Sequence, residues 1–311
     1  MRDITSKPET LREATAQARL VMPPAAIARI REKRVEKGDP LEVARVVAFS
    51  GAKRTADLLP FCHPVRITGM EVETDFEEAA LVLRVTVRGI ESTGMELEAM
   101  TGASLAALNV YDMLKPHEKN ITIEQVRLLK KRGGRSDWTE HLEPPLSAAV
   151  VVLSDTVSAG KKVDRAGLAL RERLDKEQSV SVTHYRIIPD EPEQLRALVR
   201  ALVDEGVDLI LTCGGTGLSP RDTTVEAVTP MIERPLPGMM EAARAYGQRR
   251  TRYAMLSRGV AGTIGNTLLL TFPGSTRGAV ESYEALFPAA LHAFHAIRHL
   301  PHRDEEDRST S

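Results

Sequence analysis

Hydrophobic and polar residues follow two different patterns along this chain, and the pattern changes near its middle. In the first half, the runs RITGMEVETDF (66–76) and ALVLRVTVRGI (80–90) alternate apolar and polar positions. Because successive strand side chains point to opposite faces, this alternation predicts an antiparallel hairpin with one buried face. An apolar-rich stretch from Met95 to Lys115 predicts a long helix.

Further helix and strand signals complete the first half. Pro24 suits a first helical turn and Gly38 suits a stop, so a helix is expected over 24–36 and another after Pro40. A short strand is expected near 121–129. Together these elements predict a ferredoxin-like α+β antiparallel sandwich, with helices on one side of the sheet.

In the second half, apolar runs alternate with helix-like segments. The runs AAVVVL (148–153) and VDLILT (207–212) are continuous, as expected for parallel strands that are covered on both faces. Helices are expected after Asp164 and over 191–206, with the strand VSVTHYRII (180–188) between them. We therefore predict an α/β, mostly parallel three-layer sandwich, in which ligands bind beyond the carboxyl ends of the strands.

The boundary between the two patterns is rich in glycine, proline and charge. The stretch GGRSDWTEHLEPPLS (133–147) sustains neither a helical nor a strand period. It predicts domains at 1–136 and 147–300, joined by a linker at 137–146. The polar composition of the last residues predicts a disordered tail at 301–311.

Composition restricts the class of protein. The 42 Lys and Arg residues balance 43 Asp and Glu residues, so no strongly basic surface is expected for nucleic acid or an anionic membrane. The only cysteines, Cys62 and Cys213, supply neither a disulfide framework nor a CxxC metal site, which suits a reducing compartment. Apolar runs fall short of the roughly 18 to 20 residues that span a bilayer. A cytoplasmic protein without nucleic-acid or membrane partners is expected.

The segment TCGGTGLSPRDTTVEA (212–227) indicates a phosphate site. Three glycines in four positions let backbone N–H groups surround an anion, because no Cβ blocks the approach. The segment matches neither GxxxxGK(S/T) nor GxGxxG, so a nucleotide ligand needs support from elsewhere in the chain.

Two aspartates supply part of that support. Asp190 and Asp222 each follow a predicted strand of one parallel sheet, so they can converge near the glycine-rich segment. Carboxylates together with substrate phosphates are usual ligands of Mg²⁺. The alternative is that each aspartate caps the helix that follows it. Similarly, PGS (273–275) forms either an anion-binding helix terminus or an ordinary turn.

In the first half, polar side chains concentrate in 51–64 and 93–120. Asp112 and Lys115 lie one turn apart on the predicted helix, which fits either an acid/base pair or an ordinary surface ion pair. A Cys62-His63 pair offers too few ligands for zinc. Several cationic residues would surround a polyphosphate if the fold gathered them: Arg12, Lys37, Lys53, Arg54, Lys115, Lys119 and Lys131.

Five motifs of the second half carry a family resemblance: VVLSDTVSAG (151–160), IIPDE (187–191), the glycine-rich segment, LSRGVAG (256–262) and NTLLLTFPGSTRG (266–278). They resemble the MogA and MoaB type of molybdopterin adenylyltransferase. The resemblance implies transfer of AMP from Mg·ATP to the terminal phosphate of molybdopterin, with release of pyrophosphate. It implies that Asp190 and Asp222 organise the metal and the phosphates, and that the ligand contacts are Gly215, Thr216, Gly217, Pro273, Gly274 and Ser275.

Four motifs of the first half carry a second resemblance: AKRTADLLPFCHP (52–64), TGMELEAMTGAS (93–104), NVYDMLK (109–115) and VRLLKKRGG (126–134). They resemble MoaC, the cyclic pyranopterin monophosphate synthase family. The resemblance implies conversion of 3′,8-cyclo-7,8-dihydroguanosine 5′-triphosphate to cyclic pyranopterin monophosphate, with release of pyrophosphate and no redox cofactor. It implies acid/base and phosphate-handling roles for Asp112, Lys115, Lys53 and Lys131. It implies substrate contacts at Asp3, Arg12, Lys37, Phe61, Cys62, His63, Glu96, Leu97 and Glu98.

Together the resemblances indicate a bifunctional enzyme of molybdenum cofactor biosynthesis that acts on small pterins and nucleotides. Both families form symmetric oligomers, so a hexamer or another trimer-based assembly is expected. One alternative is that the second half only binds molybdopterin or supports assembly. Another is that it hydrolyses nucleotides or phosphates without a pterin acceptor.

Overall fold

The computed structural model describes residues 1–299, which form two compact units that divide between Asp137 and Trp138. The predicted disordered tail at 301–311 and the last residue of the predicted second domain lie outside the described residues. Within residues 1–299, every helix is too short or too polar to cross a membrane.

The first unit is built on a four-stranded sheet. The strands are β1 (Thr10–Val21), β2 (Gly69–Phe76), β3 (Ala80–Glu91) and β4 (Thr122–Arg132). The helices are α1 (Pro24–Arg31), α2 (Pro40–Lys53), α3 (Thr55–Leu58) and α4 (Glu96–Leu114), and a 3₁₀ helix spans Arg135–Trp138. The strands pair antiparallel in the order β2-β3-β1-β4. The predicted hairpin is confirmed as β2 and β3.

The strand β1, in the middle of this sheet, was not predicted from the sequence pattern. Its inward side chains, Ala14, Ala16, Ala18 and Leu20, are all buried. Three of these four are alanine, which has a high helix propensity and is depleted in strands. The period of two is therefore present in β1, but its residue types do not indicate a strand.

Helices α1, α2 and α4 share one hydrophobic core with the sheet, as predicted for an antiparallel sheet with helices on one side. Small residues bring α2 and α4 close together: a Cβ at Gly102 would lie 3.1 Å from the carbonyl oxygen of Ala48. The helix predicted over 24–36 is shorter than expected. It ends at Arg31 because Lys33 adopts φ +54°, and the Arg34 N–H then bonds back to the Arg29 carbonyl.

The second unit is built on a six-stranded sheet. The strands are β5 (Leu146–Leu153), β6 (Val180–Ile188), β7 (Leu209–Cys213), β8 (Arg234–Pro235), β9 (Ala261–Ile264) and β10 (Thr267–Phe272). The helices are α5 (Asp155–Ser158), α6 (Ala166–Leu174), α7 (Pro192–Asp204), α8 (Thr224–Val228), α9 (Pro237–Gln248), α10 (Thr276–Leu286) and α11 (Ala293–Ile297). Further 3₁₀ helices span Thr229–Met231, Arg252–Leu256 and Ala289–His292.

The sheet of the second unit is mostly parallel, as predicted. Its order is β6-β5-β7-β10-β9-β8; the first four of these strands run parallel, and β9 and β8 pair antiparallel at one edge. One hydrophobic core packs α6, α9 and α10 against one face, and a second core packs α7 and α8 against the other. Burial of both faces explains why β5, β7 and β10 are apolar at almost every position.

The four parallel strands all have their carboxyl ends on the same side of the second unit. Ser154 follows β5, Asp190 follows the end of β6, and the glycine-rich segment follows β7. Pro273 follows β10, which lies beside β7. The topology therefore brings four separate sequence motifs to one end of the second unit.

Candidate active sites

A cleft of about 1250 Å³ opens at the carboxyl ends of the parallel strands. Its walls come from loops that the sequence separates by more than a hundred residues. All the site residues predicted in the second half line this cleft: Asp190, Gly215, Thr216, Gly217, Asp222, Pro273, Gly274 and Ser275. Ser275 also caps α10, because its hydroxyl accepts the Gly278 N–H at 3.2 Å.

The glycine-rich loop, residues 214–223 between β7 and α8, has a backbone conformation that only glycine adopts easily. Gly214 has φ +118° and Gly215 has φ +64°, both in the left-handed region. A Cβ at Gly214 would lie 2.2 Å from the carbonyl oxygen of Leu153, and a Cβ at Gly215 would lie 2.2 Å from Thr224 Oγ1. Thr224 Oγ1 donates to the Gly214 carbonyl at 2.9 Å. The loop is thus held between the end of β5 and the start of α8.

Gly214→Ala is expected to destabilise the second unit more than Gly206→Ala does. Gly206 has φ +82° but no atom near its Cβ position, so its replacement should cost about 1–2 kcal/mol from backbone strain alone. Gly214→Ala adds a clash with a backbone carbonyl, which should cost about 1–3 kcal/mol more. Urea unfolding of the two variants measures the difference. Equal losses would show that the close approach at Gly214 is unimportant.

Neither aspartate of the cleft caps the helix that follows it, so the capping alternative is wrong for both. Helices α7 and α8 begin without a side-chain hydrogen bond at their first turn. Instead, Asp190 Oδ2 accepts the Asp155 backbone N–H at 3.0 Å. Asp222 Oδ2 accepts the Ser219 N–H at 2.8 Å. Both carboxylates are therefore fixed by loops around the cleft.

The cleft aspartates fit a divalent cation with oxygen ligands. Burial raises the pKa of Asp190, and the negative charges of Asp155 and Asp222 raise it further, although the Asp155 N–H and Arg221 oppose the rise. Carboxylates that repel one another at the mouth of a cleft are stabilised by a cation between them. Mg²⁺ prefers one or two carboxylates and fills its other positions with phosphate oxygens and water. Asp190 and Asp222 would hold it.

Asp155 and Arg221 belong to this site, although they were missed by the sequence prediction. Asp155 Oδ1 accepts the Asp190 N–H at 3.0 Å, so the two aspartates support each other. The Arg221 guanidinium contacts Asp155 Oδ2 at 2.8 Å and Glu191 Oε1 at 3.1 Å. Asp155 follows the end of β5 as Asp190 follows the end of β6. The strand-end rule that selected Asp190 would therefore have found Asp155.

Cationic side chains add a second feature that the sequence prediction missed. Arg258, within LSRGVAG, donates to the Gly217 carbonyl at 2.7 Å and the Asp222 carbonyl at 2.8 Å, so it holds the glycine-rich loop at two points. These charges are scattered in sequence, and only the fold brings them to one place. The cationic residues that line the cleft itself are Lys162, Arg165, Arg244 and Arg277.

In the first unit, one charged cluster lies at the carboxyl end of α4. Lys115 Nζ lies 2.6 Å from Asp112 Oδ1, and Lys37 Nζ lies 2.8 Å from Asp112 Oδ2. Hydrogen bonds from Lys115 and then Lys37 lower the pKa of Asp112 to about 2. Asp112 also raises the pKa of Lys115. Near neutral pH this carboxylate therefore stays ionised, and it holds the two ammonium groups of Lys37 and Lys115 beside it.

Lys115→Gln is expected to raise the pKa of Asp112 from about 2 towards its ordinary range, and Lys37→Gln should have a smaller effect. Because the pKa of Asp112 is lowered on folding, the ion pair contributes stability above the unfolded-state pKa and loses it as the pH falls through about 2. The carboxyl ¹³C chemical shift of Asp112 during an acid titration measures this pKa. An unchanged midpoint in Lys115→Gln would contradict the assignment.

A second cluster lies at the amino end of α4. Glu98 is only 2% exposed, and its Oε2 meets no hydrogen-bond partner within the part of the chain that the structure describes. Burial raises the pKa of Glu98. The Cys62 Sγ lies 3.6 Å from Glu98 Oε1, and burial followed by the charge of Glu98 raises the pKa of Cys62 to about 11. Cys62 is thus a neutral thiol, unsuited to nucleophilic attack at neutral pH.

Other predicted contacts surround this amino-terminal cluster. Lys131 Nζ lies 3.6 Å from Glu96 Oε1. Arg12 is buried, donates through Nε to the Glu91 carbonyl at 3.1 Å, and faces the charge of Glu96. Hydrogen bonds from Thr5 lower the pKa of Asp3, and His63 is near enough to lower it further. The remaining predicted residues are exposed to solvent: Lys53, Phe61 and Leu97.

The two clusters of the first unit lie far apart. Glu96 and Asp112 are 16 residues apart on α4. A helix rises about 1.5 Å per residue, so the clusters are separated by about 24 Å along its axis. A single copy of this unit therefore does not bring Lys115 and Lys131 together.

Comparison with known proteins follows the same division. A model described as the MoaC family matches residues 1–134, and a model described as a probable molybdopterin binding domain matches residues 149–292. The cyclic pyranopterin monophosphate synthase of Pelobacter propionicus is 49% identical over 138 residues, which are 44% of this chain and 86% of the relative. The crystal structure of MoaB from Thermus thermophilus is 43% identical and covers 51% of this chain and 99% of its own, with a TM-score of 0.48.

Two relatives match both units at once. The molybdenum cofactor biosynthesis bifunctional protein of Chlorobaculum tepidum is 41% identical over 298 residues, which are 96% of this chain and 94% of the relative. A protein of the same name from Synechococcus elongatus is 33% identical over 97% of this chain and 98% of its own. The predicted fusion is therefore confirmed: the chain belongs to the family of molybdenum cofactor biosynthesis bifunctional proteins, in which a MoaC region precedes a molybdopterin-binding region.

Proposed function

We propose that each unit of this chain catalyses one step of molybdenum cofactor biosynthesis. In this proposal the first unit is a ferredoxin-like α+β sandwich that forms cyclic pyranopterin monophosphate. The second unit is a three-layer α/β sandwich that adenylylates molybdopterin. The observation that carries the proposal is the single cleft that combines Asp190 and Asp222 with the glycine-rich loop.

The first unit would act on 3′,8-cyclo-7,8-dihydroguanosine 5′-triphosphate. The ring system of the substrate is rearranged to the pyranopterin, and a hydroxyl oxygen of the substrate attacks the α-phosphorus and gives its proton to a base. The bond from the α-phosphorus to the bridging oxygen breaks and pyrophosphate leaves, so no redox cofactor is needed. Lys37, Lys115 and Lys131 offer ammonium groups for the departing phosphates. Burial raises the pKa of Glu98, and its Oε2, which has no hydrogen-bond partner among the described residues, would form a hydrogen bond with the pterin precursor.

The site of the first unit would be shared between copies of the chain. The substrate spans much less than the distance of about 24 Å between the clusters at the two ends of α4. A neighbouring copy in a symmetric assembly can place its Lys115 cluster beside the Lys131 cluster of the first. We therefore propose a homo-oligomer, either a hexamer or another trimer-based assembly, in the cytoplasm.

The second unit would join AMP to molybdopterin. A terminal phosphate oxygen of molybdopterin attacks the α-phosphorus of ATP, and pyrophosphate leaves. Backbone N–H groups of the loop at Gly215 and Gly217, with Arg277 and Lys162, would bind and orient the phosphates. Mg²⁺ held by Asp190 and Asp222 would neutralise phosphate charge when bound. Asp155 and Arg221 position Asp190.

The two proposed steps do not follow one another directly. The product of the first step has no dithiolene sulfurs, whereas the substrate of the second step needs them. Sulfur must therefore be inserted between the two steps, and we propose that the fusion serves joint expression or assembly rather than transfer of an intermediate. Accumulation of free cyclic pyranopterin monophosphate during assays with the sulfur-inserting enzyme supports this view, and its complete absence would contradict it.

Two alternatives for the second unit remain to be separated by one assay. We expect the full chain to release pyrophosphate only when Mg²⁺, ATP and molybdopterin are all present. A module that only binds molybdopterin would bind the pterin but release no pyrophosphate. A general hydrolase would consume ATP without the pterin acceptor.

A further inference from the structure

Helix α11, the last helix of the described residues, contacts the segment that precedes β5. This region lies at the end of the second unit opposite the cleft. Four of the chain's eight histidines stand between positions 292 and 302, a density typical of metal-binding tracts. The carbonyl of Glu140 accepts the Ser179 hydroxyl at 2.6 Å, and Ser179 directly precedes β6. Arg298, at the end of α11, pairs with Asp208 directly before β7 at 2.8 Å. These contacts place the region at the amino ends of the parallel strands.

Three metal-ligating side chains converge in this region. His292 Nδ1 lies 2.8 Å from Glu140 Oε1, and His295 Nε2 lies 2.9 Å from Glu140 Oε2. The potential ligand atoms of all three residues lie within 4.8 Å of one another. Glu140 and His295 are each only 7% exposed, while the His292 side chain is about half exposed. The group is therefore preformed and largely desolvated, with access from solvent on the side of His292.

We propose that Glu140, His292 and His295 bind a divalent transition-metal ion of the Zn²⁺ class. Two imidazoles and one carboxylate are a donor set that Zn²⁺ accepts, and three protein ligands leave a fourth position for water. Soft-to-borderline nitrogen ligands favour Zn²⁺ over Mg²⁺, which prefers oxygen alone. This site is distinct from the cleft, whose aspartates offer oxygen ligands only.

Metal binding here would stabilise the second unit rather than take part in its reaction. It would tie α11 to the segment before β5, two elements that are roughly 150 residues apart in the chain. Because a metal binds only unprotonated ligand atoms, binding should weaken as the pH falls. Because the site lies at the opposite edge of the sheet, its occupancy should leave catalysis in the cleft unchanged.

The proposal is tested by titrating the full chain with Zn²⁺ after a chelator has removed bound metal. Excess Mg²⁺ is present to fill oxygen-ligand sites, and a chromogenic chelator that competes for Zn²⁺ reports how much is bound. We expect the unaltered chain to bind one more equivalent of Zn²⁺ than His292→Ala, and its melting temperature to rise with Zn²⁺ only when His292 is present. Loss of a direct ligand should weaken binding by more than the roughly 10- to 100-fold seen for outer-shell partners. Co²⁺ should give the absorption bands of a four-coordinate site in the unaltered chain alone.

Two further variants make the outcome decisive. Glu140→Gln should also lose the equivalent of Zn²⁺; should it fail to fold, the half-exposed His292 still provides the test. His184→Ala is the matched control, because His184 Nε2 pairs with a single carboxylate, Glu205, at 3.2 Å. This control should bind Zn²⁺ as the unaltered chain does. Equal binding by the unaltered chain and His292→Ala, or no binding by either, would show that the three residues form a hydrogen-bonded cluster only.

Discussion

Replacing Asp222 with asparagine is expected to reduce acceptor-dependent pyrophosphate release at least about 100-fold, a loss comparable to that of one transition-state charge contact. Asparagine keeps an oxygen that accepts the Ser219 N–H, now 2.8 Å from Asp222 Oδ2, so the loop should retain its conformation. The negative charge that would hold Mg²⁺ is lost. The change should therefore remove activity while leaving the free energy of unfolding nearly unaltered.

Asp204→Asn is the matched control for this prediction. Asp204 is exposed at the end of α7, and its replacement removes the same charge from the same unit. It should leave pyrophosphate release unchanged. Asp190→Asn should behave as Asp222→Asn does, because both carboxylates line one cleft. If Asp222→Asn retained the rate of the unaltered chain, the carboxylates would not organise metal and phosphates.

Mixing two inactive variants is expected to restore synthase activity in the first unit. Lys115→Gln removes an ammonium group at the carboxyl end of α4, and Lys131→Gln removes one near its amino end. Each variant alone should lose about 10²- to 10⁴-fold, the range for groups that transfer protons or balance charge in a reaction. If two neighbouring copies share two sites, co-expression should restore about a quarter of the activity. Half of the randomly formed pairs contain both variants, and one of the two sites in each such pair is intact.

The matched control for complementation is Lys176→Gln in the second unit. Lys176 pairs with Glu172 at 2.8 Å on an exposed surface, much as Lys115 pairs with Asp112, but no proposed site includes it. Synthase activity should be unaffected by this change. The co-expressed variants Lys115→Gln and Lys131→Gln could form mixed assemblies and still be inactive. That result would contradict a site in which one copy supplies Lys115 and a neighbouring copy supplies Lys131.

The sequence indicated the doubly buried strands of the second sheet more clearly than it indicated β1 of the first, for a physical reason. Strands β5, β7 and β10 are buried on both faces and are rich in Val, Leu and Ile, which clearly indicate parallel strands. Strand β1 instead fills its inward positions with alanine, so its alternation is invisible to residue-type arguments. Strand β1 lies between β3 and β4, so the strand order of the first unit could not be predicted without it.

The site residues divide in a similar way. Asp190 and Asp222 were selected because each follows a predicted strand, and a parallel sheet gathers strand ends at one edge. Asp155 accepts a hydrogen bond from the Asp190 N–H, and Arg221 pairs with Asp155. These contacts depend on side-chain directions, which the spacing of residues in the sequence does not specify. In the first unit, α4 is long enough to hold its two clusters apart. The motifs identify the residues, but only the helix length shows that one copy cannot unite them.

Both proposed sites are tested together when pyrophosphate release by the full chain is measured with two substrates in separate assays. The first assay supplies the cyclised guanosine triphosphate derivative, and the second supplies Mg·ATP with molybdopterin. We predict that the unaltered chain releases pyrophosphate in both, that Lys115→Gln fails only in the first, and that Asp222→Asn fails only in the second. Loss of both activities on either substitution, in a chain that remains folded, would contradict two independent phosphate-handling sites.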